Sequence, residues 1–236
     1  MGRNKGKKAS ASTLHYPWGI WSKIMITALS VAAFLGFTHS FEADHLLAVS
    51  NIVSKRNCWV LAMKDGIHWG LGHTTTIFLM GLIIILGKLM ISDSAPIFGY
   101  FESLVGFMLM GLGVYRLHKL YKFKQHLTMH HAHAHLHDHS ENHQLAYGVG
   151  LIHGLAGSGA VILSAITTMK SSIDTLLFLL IFGLGSVVGM LLASGAFSLP
   201  FSKKMTSNRR FQIGLTFLSC ILCIGFGVKV VWTNLF

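Results

Sequence analysis

Six apolar stretches, each near or above the roughly 20 residues needed to cross a hydrocarbon layer about 30 Å thick, follow one another along almost the whole chain. They fall at about 24–53, 66–87, 97–115, 146–169, 173–199 and 211–232. No soluble domain fits between them, and backbone that crosses lipid must satisfy its own hydrogen bonds. The expected fold class is therefore an all-α membrane protein with six transmembrane helices. A composition that is 52% hydrophobic and 11% charged agrees.

The formal charge of +11 raises nucleic acid as a partner, but the basic residues lie in the short connections and the amino-terminal tail rather than on one face. The lipid bilayer is the better partner, with no nucleic acid. Counting Lys and Arg on alternate sides gives eight with the amino terminus and eleven on the other. That count favours both termini outside the cell membrane, whereas the basic tail argues the opposite. The three cysteines exclude a disulfide framework. Cys220 and Cys223 share a helical face inside an apolar run, where packing is the preferred reading over a soft-metal site.

The halves look related. An offset of 114 residues sets Gly36 on Gly150, His39 on His153 and Ser50 on Ser164, and near the other end Gly111 and Gly113 on Gly225 and Gly227. Three spans per half force the halves to enter the membrane from opposite sides, the inverted arrangement of secondary transporters, in which the site lies at mid-depth between the repeats. The expected organisation is a basic tail (1–23), a first three-helix repeat (24–121), a His-rich loop (122–145) and a second three-helix repeat (146–236).

The first apolar run carries His39, Glu42, Asp44 and His45 within seven residues. Each charge at the centre of a span costs about 2.5 to 3.5 kcal/mol on insertion scales, so such a cluster requires compensation. A bound cation supplies it. Imidazole with carboxylate suits nickel, cobalt, zinc or copper, whereas magnesium and calcium sites are built from oxygen. On an ideal helix His39, Glu42 and His45 share a sector while Asp44 points away, so gathering His39, Asp44 and His45 requires the first helix to be interrupted. A polar network without metal is the competing reading.

Further candidate ligands follow. His73, beside Gly72, is placed to reach the cluster, with Thr74 to Thr76 as oxygens supporting the ligands or lining the pathway, and His68 lies nearer the membrane surface. His153 is the second-half counterpart of His39, and an interhelical hydrogen bond suits it equally. Gly183, Gly185 and Gly189 read as a helix contact. Between the third and fourth spans His126, His130, His131, His133, His135, His137, His139 and His143 crowd a polar segment with Asp138 and Glu141. Alternation at every second residue makes no helical face and suits a low-affinity chelating tract; a solvated linker is the bland alternative.

The pattern His39-x4-Asp44-His45, set in HSFEADHLLAVSN, resembles the H-x4-D-H signature of nickel/cobalt transporters, usually found within HAFDADH. GLGHTT at 70–75 resembles that family's LGH-S/T motif. Six spans with a histidine-rich central loop are similar to the efflux and urease-accessory-type branches of the superfamily. The resemblance implies that His39, Asp44, His45 and His73 recognise metal in a multi-pass permease that uses no ATP and holds no permanent cofactor, with Ni2+ or Co2+ as substrate. Glu42 replaces the usual aspartate, and HGLAGSGA stands where the family's LG-x-D-T-A-T-E motif is expected, which leaves metal and direction open. The competing functions are a zinc/cadmium-type transporter, a metal-binding accessory membrane protein that does not transport, and a di-iron membrane enzyme. The last is disfavoured because the dense histidines sit in one polar loop, so no enzyme is expected. A homo-oligomer or a metal-delivery partner is compatible with all of this.

Overall fold

The computed structural model describes residues 18–54, 56, 58–87, 91–129, 143–156, 159–169, 171–201 and 209–236, and among them there is no strand. Residues 1–17 of the tail and the tract histidines His130, His131, His133, His135, His137 and His139 lie outside the described residues, and the last six residues of the expected tail begin α1. The helices are α1 (Trp18–His39), α2 (Ala43–Val53), α3 (Trp59–Gly87), α4 (Ile91–Met129), α5 (Gln144–Ala156), α6 (Gly159–Thr168), α7 (Ser172–Ser198) and α8 (Arg209–Leu235). A 3-10 turn, Leu199–Phe201, ends α7 beside Pro200.

Among the described residues, three helices, α3, α7 with its terminal turn, and α8, are long and apolar enough to cross a membrane. The pairs α1/α2 and α5/α6 bend by 56° and 54° and raise the number to five if each bent pair is one span. The first expected span is thus interrupted, with no proline or glycine at the bend. Instead the hydrogen-bond ladder shortens: Phe41 N–H donates to Thr38 O and Glu42 N–H to His39 O, both at 3.0 Å. Glu42 is extended (φ −65°, ψ 154°), and α2 restarts in a new direction. The expected third span at 97–115 lies within a continuous helix of 39 residues, which starts earlier, at Ile91, and runs on through the basic segment after Tyr115.

Packing follows the glycines. α7 lies against α1 and α3, α5 against α3, and α4 against α8. A Cβ at Gly36 would fall on the Phe182 carbonyl, and one at Gly185 on the Ala33 carbonyl, so α1 and α7 meet nearly backbone to backbone. Reciprocal hydroxyls lock this contact. Ser40 Oγ–H donates to Ser186 O at 2.9 Å, and Ser186 Oγ–H to Gly36 O at 3.0 Å. Replacing Ser186 with Ala is expected to cost about 1 kcal/mol in detergent unfolding, since one buried bond goes and the Gly36 carbonyl retains its helical partner. A loss above about 3 kcal/mol would show that the hydroxyl has a larger task than this bond.

The surface inverts the order of a soluble protein. Phe34, Leu86, Phe217 and Trp232 are half or more exposed, whereas His39, His45, His73 and His153 are buried. Apolar outside and imidazole inside is the distribution that a hydrocarbon solvent selects.

Candidate metal centre

Four histidines and one carboxylate meet where α1 breaks. His39 ends α1, Asp44 and His45 open α2, His73 is the middle residue of α3, and His153 lies near the end of α5. His73 stands about 21 Å along the axis from either end of its helix, so the centre is level with the middle of α3. All four imidazoles are at most 6% exposed.

The break makes the arrangement possible. Because α2 starts afresh at Ala43, Asp44 turns inward beside His45 instead of pointing away as it would on a continuous helix. His45 Nδ1–H donates to Asp44 Oδ1 at 3.0 Å, whose other oxygen accepts from His153 Nε2–H at 2.8 Å. His39 Nδ1 faces Glu42 Oε1 at 2.8 Å. Glu42 is 57% exposed, so it orients His39 from the rim of the cluster.

Each carboxylate therefore fixes an imidazole by one nitrogen and leaves the other free. His39 Nε2, His45 Nε2, His153 Nδ1 and both nitrogens of His73 are buried with no hydrogen-bond partner among the described residues. Orphaned buried nitrogens are costly unless something takes their lone pairs. One ligand atom from each of His39, His45 and His73 lies within 4.8 Å of the others, and the same holds for Asp44, His45 and His153. The rings confirm the proximity: centroids of His45 and His153 are 4.1 Å apart, and those of His39 and His73 are 5.4 Å apart. An imidazole held by a carboxylate at its far nitrogen is the recurrent form of a metal ligand.

The other expected residues go elsewhere. His68 is half-buried, outside the cluster, and stacks on His143 with centroids 4.6 Å apart. The hydroxyls of Thr74, Thr75 and Thr76 donate to the carbonyls of Gly70 and Gly183, of Leu71, and of Gly72 and Leu151. Cys220 and Cys223 are buried, with Sγ 3.4 Å from Asn51 Oδ1 and from Leu109 O, as packing residues. Sequence reasoning missed Trp69, whose ring stacks on His45 at 5.7 Å and meets His153 at 5.8 Å. It also missed Asp65, buried with Arg56 and His143. Only an acid early in a largely apolar helix, next to Lys64, signalled Asp65.

A helical bundle with an apolar exterior and a buried polyhistidine centre defines an integral, multi-pass membrane protein. Its relatives narrow the class. The family described as "Cytochrome C biogenesis protein transmembrane region" matches residues 22–228. The urease accessory protein UreH of Bacillus sp. (strain TB-90) is 34% identical over 198 residues, covering 82% of this chain and 85% of that protein. The nickel transporter NixA of Staphylococcus aureus (strain NCTC 8325 / PS 47) is 34% identical over 92 residues, covering 35% of this chain and 26% of that protein. No solved structure matches. The chain belongs to that transmembrane family and to the nickel/cobalt transporter superfamily.

Proposed function

We propose that the protein is a permease for a divalent transition metal ion, nickel or cobalt, which crosses the membrane through the centre formed by His39, Asp44, His45, His73 and His153. The observation that carries this reading is the set of orphaned nitrogens: four imidazoles converge level with the middle of α3, and none of their inward-facing nitrogens has a partner among the described residues. A dication relieves one nitrogen each of His39, His45 and His73, whose ligand atoms lie within 4.8 Å of one another, and the charges of Asp44 and Glu42 balance its own. His39, His45 and His73 act as nitrogen ligands. Asp44 aligns His45 and His153, and Glu42 aligns His39.

The reading includes six spans arranged as two inverted repeats, with α1/α2 matching α5/α6, α3 matching α7, and α4 matching α8. Support comes from the two bends, which occur at equivalent places in the halves, and from the packing. Exchanging the halves turns the α1–α7 contact into the α5–α3 contact and leaves α3–α7 and α4–α8 unchanged. His39 and His153, equivalent by sequence offset, then bring one imidazole from each repeat to the shared centre.

The decisive experiment is flux. Purified protein in sealed vesicles loaded with a metal-responsive fluorophore is expected to admit nickel and cobalt faster than protein-free vesicles, and faster than it admits zinc. A zinc-only flux supports the zinc/cadmium-type alternative. Flux no greater than in empty vesicles supports an accessory role without transport, the reading favoured by the name of the relative that matches over most of its length.

A further inference from the structure

Arg116 is a half-buried cation that no carboxylate answers among the described residues. It stands on α4 at the end of the bundle where α2 stops and α3 and α5 begin, and its Nε–H donates to Ser54 Oγ at 2.9 Å. Ser54 Oγ–H donates in turn to Asn51 O at 2.9 Å, so the guanidinium lies across the last turn of α2. The dipole of that helix end is equivalent to about half a charge and leaves the place positive. Neither Nη group of Arg116 has a partner among the described residues. Asp65, the buried acid at this end of the bundle, is taken by the Arg56 guanidinium, with Nε 2.6 Å from Oδ2 and Nη2 2.7 Å from Oδ1. Lys119, one turn beyond Arg116, is exposed and also lacks an acid, and its Nζ lies 5.1 Å from the centre of the Tyr115 ring.

Arg116 and Lys119 line a partly open cavity between α2, α4 and α5. The rest of its wall is mostly apolar. Ile52 and Leu112 contribute buried surface, whereas Tyr115 and Leu145 are 49% and 41% exposed. Asn51 borders the cavity too, but its amide is engaged by Leu47 O, Ser219 and Cys220. The groups left to bind a ligand are two cations beside apolar surface.

We propose that this cavity binds the phosphate of an anionic lipid headgroup. A guanidinium presents paired N–H groups that match two phosphate oxygens, and the ammonium of Lys119 adds a second positive charge. Basic pockets between membrane helices take acidic headgroups for this reason. The exposed side chains of Tyr115 and Leu145 offer acyl chains a surface to follow, which free phosphate would leave unused. Neither cation belongs to the deep centre, and binding here does not depend on metal transport.

Native mass spectrometry of the full-length protein in detergent, titrated with phosphatidylglycerol, phosphatidylcholine or inorganic phosphate, tests the site. Phosphatidylglycerol is expected to fill a first site about tenfold or more tightly than phosphatidylcholine, which carries the same phosphate without net charge. Lys119→Gln should weaken that site about fivefold and Arg116→Gln about tenfold, with Arg116→Lys between the parent and Arg116→Gln. Lys119 is exposed, so its replacement leaves the fold intact and keeps the test independent of the Arg116 variants. Lys122→Gln, on an exposed residue that does not line the cavity, should change the affinity by about twofold at most. Equal affinity for the two lipids, or equal losses from Lys122→Gln and Lys119→Gln, would reduce the effect to general charge attraction and overturn the site. Displacement of phosphatidylglycerol by an equimolar amount of inorganic phosphate would make this a free-phosphate site and overturn the lipid assignment.

Discussion

Asp44→Asn is expected to lower nickel flux in vesicles by about 100-fold or more, with normal yield and an unchanged elution profile. The magnitude follows from the number of groups that one carboxylate aligns. Its oxygens accept from His45 Nδ1, from the His45 backbone N–H at 2.9 Å and from His153 Nε2. Asparagine offers one acceptor oxygen and an NH2 group that only donates. One imidazole must therefore turn or lose its partner, and the free nitrogens no longer converge. The charge matters as much: without Asp44 a dehydrated dication at mid-depth would face one remaining carboxylate, the largely exposed Glu42. Glu42→Gln should be milder, about tenfold at most, because it releases only His39 and leaves His45 and His153 aligned. Flux of Asp44→Asn within twofold of the parent would show that the ion does not pass this carboxylate.

The same stretch shows how much the sequence discloses. Four ionisable residues within seven positions of an apolar run are anomalous on their own, so His39, Glu42, Asp44 and His45 could be picked out without coordinates. The interruption was legible too, since a continuous helix cannot turn Asp44 and His39 to one side. His153 could be found through the offset between the halves, although Ser158 and Gly159 replace the acid and the second histidine there. What stayed hidden was pairing at a distance. Arg56 and Asp65 read as ordinary charges near helix ends, and His143 as one more histidine of a chelating tract. Their contact joins positions 78 residues apart and exists only because α3 and α5 run side by side from the same end. His68 was grouped with His73 by proximity in sequence, yet a five-residue step rotates it away from the centre. The threonines beside His73 gave no sign in the sequence of the carbonyls to which their hydroxyls bond in this tightly packed apolar bundle.

Gly189→Leu is expected to have the second large effect, on folding rather than on binding. Gly189 of α7 faces the end of α1 at the bend. A Cβ there would come 2.6 Å from Ser40 Oγ and 2.8 Å from the Phe37 carbonyl, closer than a carbon can approach. The Ser40 hydroxyl could rotate, but the carbonyl belongs to helical backbone one turn before the break and cannot yield without moving α1. Separating α1 from α7 would break the bond from Ser40 to Ser186 O and draw His39 away from His73. A cost of about 3 kcal/mol or more is expected, at the upper end for overpacking, seen as a fall in thermal midpoint and in monodisperse yield. Gly225→Leu supplies the comparison, because a Cβ on that residue of α8 meets nothing within 4 Å. It should change stability by no more than about 0.5 kcal/mol and leave flux intact. Equal tolerance of leucine at both positions would mean that α1 and α7 are not in backbone contact at the bend, and the centre would then lack the wall that holds His39 in place.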